Sequence, residues 1–286
     1  MIFNKFFILF KIGRKIGKSN IINIVSETHK IPVFIKIFFN LLAFSFSSSK
    51  DTKSKENLSA SIQEMGTTFI KLGQFLATRP DIIGEKLSKE LVSLQDKLPP
   101  FSKKEAEKII IENLGQSNFD DIIDLSDPIA AASIAQVHKA KIKEDNTIKN
   151  VAIKVLRPNI KKIFNEEIDA IMLLAYIVES LITKTKRLKL IEVVFLFKEI
   201  TNHEMDLRFE AAAANEYAEN TKNDLGFFVP KIYWNFTSES VLTLDWVDGV
   251  SIREKDLLKE KNIETSKIAT NLIQHFLRQA VRDGFF

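Results

Sequence analysis

Apolar residues return at helical intervals from Leu58 onward: Leu58, Ile62, Met65, Phe69 and Leu72, then Leu87, Leu91 and Leu94. Pro80 and Pro99-Pro100 punctuate this run. Ser102 followed by Glu105 forms a capping box, which predicts a helix over 103–114 that ends near Gly115. The pattern then shifts to short β-rich runs at 137–140 and 151–156, with polar residues 143–150 between them as a hairpin turn and Pro158 as the stop. Two long amphipathic helices are predicted over roughly 160–183 and 190–220. Runs at 229–236 and 241–247 predict a second antiparallel hairpin around the turn 237–240. A last helix follows over about 266–282, carrying Ile268, Leu272, Ile273, Phe276, Leu277 and Ala280. There is no internal repeat and no long low-complexity tract.

The first fifty residues follow a different pattern. Residues 1–18 place Phe3, Phe6, Phe7 and Phe10 near one helical face, with Lys11, Arg14, Lys15 and Lys18 clustered behind them. Residues 31–46 are almost wholly apolar but carry Lys36 and Asn40, and the run is shorter than a bilayer-spanning helix needs. No basic region precedes the first apolar run and no small-residue cleavage site follows it, which argues against a signal peptide. Two readings stay open: a cationic, Phe-rich helix lying on an anionic membrane surface, or helices that cover a lobe with their apolar faces. The polar stretch 47–56 is a plausible joint to the rest of the chain.

Composition narrows the chemistry. The 286 residues are 45% hydrophobic, enough for a large core. Net charge is only +4, without a basic stripe, so nucleic acid is not an expected partner. The absence of cysteine excludes disulfides, iron–sulfur clusters and cysteine-ligated zinc. His29, His138, His203 and His275 are scattered without metal-ligand spacing, so no metal site is expected.

Ile129 to Val137 read Ile-Ala-Ala-Ala-Ser-Ile-Ala-Gln-Val, and Val-Ala-Ile-Lys follows at 151–154. A kinase nucleotide loop reads G-x-G-x-x-G-x-V, and its phosphate-contacting lysine sits on a later strand in V-A-I-K. Ala130, Ala132, Ala135 and Val137 occupy the diagnostic loop positions, Ser133 follows the second of them, and Lys154 stands at the lysine position. Glycine lets backbone N–H groups approach phosphates closely, whereas alanine restores a Cβ and stiffens the loop. Each motif alone also fits an Ala-rich turn or an ordinary strand; in order, joined by a strand–turn–strand pattern, they favour a nucleotide site.

Such a lysine needs a carboxylate partner on a helix. Glu204, Asp206 and Glu210 offer three on one predicted helix; Asp206 and Glu210 lie one turn apart, and Glu204 lies well round the helix. Spacing alone does not choose among them. Upstream, Lys71-Leu-Gly-Gln74 ends an apolar helical run, with Gly73 expected to break the helix so that a lysine and an amide project together.

Together KLGQ at 71–74, the alanine loop, VAIKVLRP at 151–158 and EMDLRFE at 204–210 resemble the UbiB family of atypical kinase-like proteins tied to ubiquinone biosynthesis. The similarity also takes in residues 76–101 and 242–252, and runs from about residue 57 to the last residue. The resemblance implies an α+β fold: a protein-kinase-like small lobe with an antiparallel sheet, an N-terminal helical extension, and the start of a helical large lobe. Residues 1–50 would be apolar and basic helices, 51–125 the extension, 126–248 the small lobe and hinge, and 249–286 the start of the large lobe.

The resemblance also implies roles. Lys154 would hold the α/β-phosphates of ATP or ADP, with Glu210 as its partner. Ile129, Ala130, Ala131, Ala132, Ser133, Ile134, Ala135, Gln136 and Val137 would form the loop over the nucleotide, and Asp245 to Val247 the hinge beside the adenine. Lys71, Gly73 and Gln74 would belong to the extension motif that limits access by protein substrates, and Glu204 with Asp206 to the acidic pair that contacts it. A membrane surface or lipid and quinone-biosynthesis proteins would be partners, at the cytoplasmic face of a bacterial inner membrane.

One departure bears on activity. Phosphoryl transfer needs a catalytic-loop aspartate, an asparagine and a D-F-G aspartate that holds Mg²⁺. None of these motifs occurs among the 286 residues, nor do the family's C-terminal membrane anchors. The chain is therefore expected to be the N-terminal part of a longer protein, inactive alone, needing Mg²⁺ only in full-length form and leaving the apolar face of its last helix (Ile268, Leu272, Phe276, Leu277) uncovered. The alternative is a non-catalytic nucleotide- or lipid-binding scaffold for a quinone-biosynthesis complex.

Overall fold

The computed structural model describes residues 7–8, 10–15, 58–92, 94, 98–181 and 183–285. These form two compact units. The first takes in the described residues up to Pro99 together with Ala131–Ala135 and Arg157–Met205; the second takes in Pro100–Ala130, Gln136–Leu156 and the residues from Asp206 onward. The residues 31–46 and 47–56 singled out above lie outside the described residues.

The first unit is helical. α1 (Leu58–Met65) and α2 (Thr67–Ala77) are separated at Gly66, whose φ of +104° an L side chain adopts only with strain. α3 (Pro80–Ile83) starts on a proline, which suits the first helical turn, and Gly84 divides it from α4 (Glu85–Val92). Of the periodic apolar positions, Leu58, Leu87, Leu91 and Leu94 meet in one core cluster together with Ile70, whereas Met65 and Phe69 join another. Gly73 does not break the helix. It is buried within α2, and a Cβ there would stand 3.2 Å from Leu94 Cδ2 and 3.4 Å from Ile62 Cγ2. Close packing, not a kink, is what requires glycine.

Residues 10–15 are helical, and Ile12 joins Met65, Phe69 and Ala170 in a second cluster. Lys15 donates to Met65 O at 2.7 Å, whereas Phe7 and Phe10 are exposed. The described part of the N-terminus thus packs one face inward and keeps two phenylalanines outside.

The sheet lies in the second unit, apart from Ala131 and Ala135, which the first unit takes in. α5 (Lys103–Leu114) carries the capping box, with Ser102 Oγ accepting from Glu105 N–H and the Glu105 carboxylate accepting from Ser102 N–H, and Gly115 ends it at φ +82°. After α6 (Gln116–Asp120) come β1 (Ile122–Ile123), β2 (Pro128–Ala131), β3 (Ala135–Glu144) and β4 (Thr147–Leu156). The first hairpin is longer than the polar stretch suggested. Its turn is only Asp145-Asn146, both at positive φ, as in a tight two-residue hairpin turn, so residues 143–144 and 147–150 are strand. Apart from the exposed Ile148, their side chains are polar, as suits a ribbon end that faces solvent.

α7 (Ile160–Leu181) and α8 (Leu190–Glu204) return to the helical unit, where Phe197 packs edge-on against Phe164 and tilted against Phe75. The single helix expected over 190–220 is two. α8 stops at Glu204, and α9 (Leu207–Thr221) begins anew with Asp206 as its N-cap, the carboxylate accepting from Arg208 N–H at 3.1 Å.

β5 (Val241–Asp245) pairs antiparallel with β4 in the register Val151↔Asp245 to Val155↔Val241, and the sheet order is β1-β3-β4-β5 with β2 beside β3. The second hairpin is reduced. Only Ile232 bridges to Leu244, because residues 234–236 coil into a 3₁₀ turn whose entry is pinned by Tyr233 N–H to Thr243 O. Val151, Ile153 and Val155 face one side and pack with Ile110, Ala140, Ile142, Tyr233, Phe236 and Val241. Alternation therefore turns Lys154 to the other face of the sheet. The architecture is α+β.

α10 (Lys255–Glu260) and α11 (Thr265–Leu277) complete the second unit, and the last described turn is π-helical over Arg278–Arg282. Arg282 grips Asp224 at 2.9 and 3.0 Å, and His275 packs against Phe227. Leu272, Ile273, Phe276 and Leu277 face solvent, while Ile268 is half-buried.

Candidate functional site

In the sheet unit, Lys154 and Glu210 meet. Lys154 Nζ donates to both carboxylate oxygens, at 2.7 and 3.0 Å. Strand alternation delivers the lysine, and the first turn of α9, started by the Asp206 cap, delivers the glutamate to the positive end of the helix dipole. The lysine side chain keeps 27% of its surface exposed and the glutamate 49%. An ammonium held by one carboxylate and still open on one side can accept an anionic group such as phosphate.

The hinge candidates occupy the end of β5. The Asp245 carboxylate accepts from Tyr233 Oη at 2.7 Å and from Lys231 N–H at 3.2 Å, so it is committed to the protein. Burial first, and then this contact, holds the Tyr233 hydroxyl well above its ordinary pKa. Trp246 N–H donates to Asn150 O, its indole donates to Asp248, and Lys139 sits 4.4 Å above its ring. Val247 is half-exposed beyond them.

The same unit holds a polar network that sequence reasoning missed. Gln136 Oε1 accepts from Phe101 N–H at 2.9 Å, and its Nε2 faces Phe101 O at 3.2 Å and His138 Nε2 at 2.9 Å. His138 Nδ1 lies 2.8 Å from Ser126 O. A carbonyl can only accept, so Nδ1 carries the proton and Nε2 accepts from Gln136. Burial holds the His138 pKa below its ordinary value, which keeps the ring neutral. The only sequence signal was polarity at two alternate positions of a strand whose inward side is apolar.

In the helical unit, Lys71 and Glu204 form an ion pair of 2.8 Å between α2 and the last turn of α8. Gly73 and Gln74 follow Lys71 on α2, the glycine buried and the glutamine half-buried. Residues Ala131–Ala135 of the alanine loop also belong to this unit, with Ser133, Ile134 and Ala135 buried. Ile129 and Ala130 are exposed on β2, and Val137 is half-buried on β3. The three carboxylates therefore do different things: Glu204 meets Lys71, Asp206 caps α9 and pairs with Arg208, and Glu210 meets Lys154.

The sequence profile of the ABC1 atypical kinase-like domain matches residues 93–286. The chain belongs to the UbiB family of ABC1 atypical kinase-like proteins. The probable protein kinase UbiB of Marinobacter nauticus is 32% identical over 258 residues, which cover 90% of this chain and 47% of that protein. The protein of the same name from Azotobacter vinelandii is 34% identical, covering 80% of this chain and 42% of its own length. The one from Pseudomonas paraeruginosa is 29% identical, covering 97% and 52%. The chain spans about half the length of these curated relatives. Among the described residues no helix is long and apolar enough to cross a membrane.

Proposed function

We propose that this chain forms the nucleotide-holding part of an atypical protein kinase or ATPase required for ubiquinone biosynthesis. The observation that carries this reading is the two-point contact of Lys154 with Glu210. A lysine fixed in that way can contact the α/β-phosphates of ATP or ADP, and kinase-like activity is a property of the family's name. In this reading residues 129–137 cover the nucleotide and Asp245 to Val247 border the adenine. Lys71, Gly73, Gln74, Glu204 and Asp206 regulate access.

Mg²⁺ joins only where a catalytic-loop aspartate and asparagine and a D-F-G aspartate are supplied, and these 286 residues contain no such motifs. The polypeptide alone binds nucleotide without turning it over. The same lack of motifs favours a second reading, a non-catalytic nucleotide- or lipid-binding scaffold for a quinone-biosynthesis complex. Exposed Phe7 and Phe10 support peripheral attachment at the cytoplasmic face of an inner membrane, where quinone-biosynthesis proteins would be its neighbours.

Binding of a fluorescent ATP analogue to the wild type and to Lys154→Ala tests the reading, with phosphate release measured alongside. The variant is expected to bind at least about tenfold more weakly, as loss of a charge-assisted contact requires, and neither protein is expected to release phosphate. Equal affinity in the two proteins would sink the nucleotide site. Mg²⁺-dependent turnover abolished by the substitution would overturn the inactivity of the chain alone.

A further inference from the structure

The alanine loop is held by its carbonyl oxygens. Ala135 O accepts from Ala132 N–H at 2.8 Å, and Ile134 O accepts from Arg157 N–H at 2.8 Å. Ser133 O accepts from the Thr67 hydroxyl at 3.2 Å. Ala132 O accepts twice from one guanidinium, from Arg157 Nη2 at 2.7 Å and Nε at 3.1 Å. The same guanidinium continues to Pro99 O through Nη1 at 3.0 Å and, more loosely, to Leu98 O at 3.4 Å. Every carbonyl from Ala132 to Ala135 thus has a donor, and all these groups belong to the helical unit.

Arg157 is suited to this by type and by place. A guanidinium offers five donors in a rigid fork and no acceptor, so it can satisfy several carbonyls at once, as a lysine ammonium on a flexible stem cannot. Pro158 biases the backbone of Arg157 towards an extended conformation, from which its N–H meets Ile134 O while its side chain reaches Ala132 O. A basic residue three positions after Lys154 suggests a second phosphate ligand. Its donors are instead directed at backbone oxygens, which leaves the phosphate role to Lys154.

We infer that Arg157 is the positioning residue of the alanine loop: it locks residues 132–135 in one conformation and ties them to the Leu98–Pro99 carbonyls, with Thr67 as a second tether. A glycine loop orders itself when a nucleotide arrives; a loop locked beforehand has that conformational cost removed. The tether stands on the contacts themselves, and only its consequence for affinity rests on the nucleotide reading above.

Site-resolved amide hydrogen exchange on the full chain tests it without any ligand. Arg157→Met is expected to speed exchange at Ala132 at least about tenfold and to leave Ile153 in β4 unchanged, as loss of a half-buried charged donor with several acceptors predicts for a local opening. Arg157→Lys should lie between the two, because it keeps the charge and loses the fork. Thr67→Val, which removes only the Ser133 contact, should give about a threefold rise. Unchanged exchange at Ala132 in folded Arg157→Met overturns the tether; if that variant does not fold, unchanged exchange over 132–135 in Thr67→Val overturns it. Affinity for the ATP analogue is the second readout, expected to fall about tenfold in Arg157→Met with partial recovery in Arg157→Lys. If the wild type binds no nucleotide, the functional reading fails while the exchange result still judges the tether. If exchange rises and affinity does not change, the positioning role is overturned.

Discussion

Lys71–Glu204 and Lys154–Glu210 are built from the same two residue types, and their glutamates are separated only by the break at Met205-Asp206, yet their surroundings are opposite. Glu204 closes α8, where the helix dipole is unfavourable for a carboxylate; Glu210 opens α9, where the dipole favours one. Lys71 has 15% of its side chain exposed and lies in a helix whose neighbour Gly73 is packed tight against Leu94 and Ile62; Lys154 has 27% exposed and lies on a strand. The first lysine neutralises a carboxylate that would otherwise face the negative end of its helix. The second is held by a carboxylate that is comfortable without it, which leaves the lysine's charge available. The same ion-pair chemistry thus sits in two opposite electrostatic settings.

The largest effect that would break the contrast is expected next to Lys71. Gly73→Val adds bulk where even a Cβ meets Leu94 Cδ2 at 3.2 Å, and should lower stability by about 1–3 kcal/mol, the usual cost of overpacking a core. Thermal unfolding checks it, and an unchanged midpoint would mean that α1, α2 and Leu94 are not closely packed. Next is the break itself. Asp206→Ala removes the N-cap of α9 and should cost about 1 kcal/mol, whereas Asp206→Asn retains an acceptor and should cost much less. Equal losses in denaturant melts would show that the charge pairing with Arg208, and not the cap, is what counts.

Much of this contrast could not be read from the sequence. The periodicity placed α5, the second half of β4 and the last helix, because each follows one simple rule of spacing or capping. It joined α8 to α9, because Met205 and Leu207 continue an apolar pattern that a capping aspartate interrupts only in backbone geometry. It extended the turn of the first hairpin over polar residues that are strand, since a solvent-facing ribbon end carries no alternation to detect. At the site, Lys154 was visible by motif; spacing left its partner among three carboxylates, and only the family resemblance singled out Glu210, which α9 brings to it. Gln136, His138 and Arg157 gave little signal of their contacts: apart from the Gln136–His138 pair, their partners are backbone carbonyls and amides well removed in sequence, and such contacts leave no pattern of residue types.

The smallest expected effect is also the sharpest test of the opening contrast. Lys154→Met removes an ion pair that is partly solvated and whose carboxylate stays at a favourable helix N-terminus, so stability should change by less than about 0.5 kcal/mol. Lys71→Met removes the counter-charge of a carboxylate at a helix C-terminus and should cost more, about 1 kcal/mol. Glu204→Gln in the Lys71→Met background should recover part of that loss, since it removes the charge left facing the negative end of the dipole. Glu210→Gln in the Lys154→Met background should recover nothing. Urea melts of the four variants against the wild type measure both lysine costs and both recoveries. Equal costs for the two lysines, or recovery at Glu210, would mean that helix polarity does not separate the pairs and that Lys154 is as much a structural residue as Lys71.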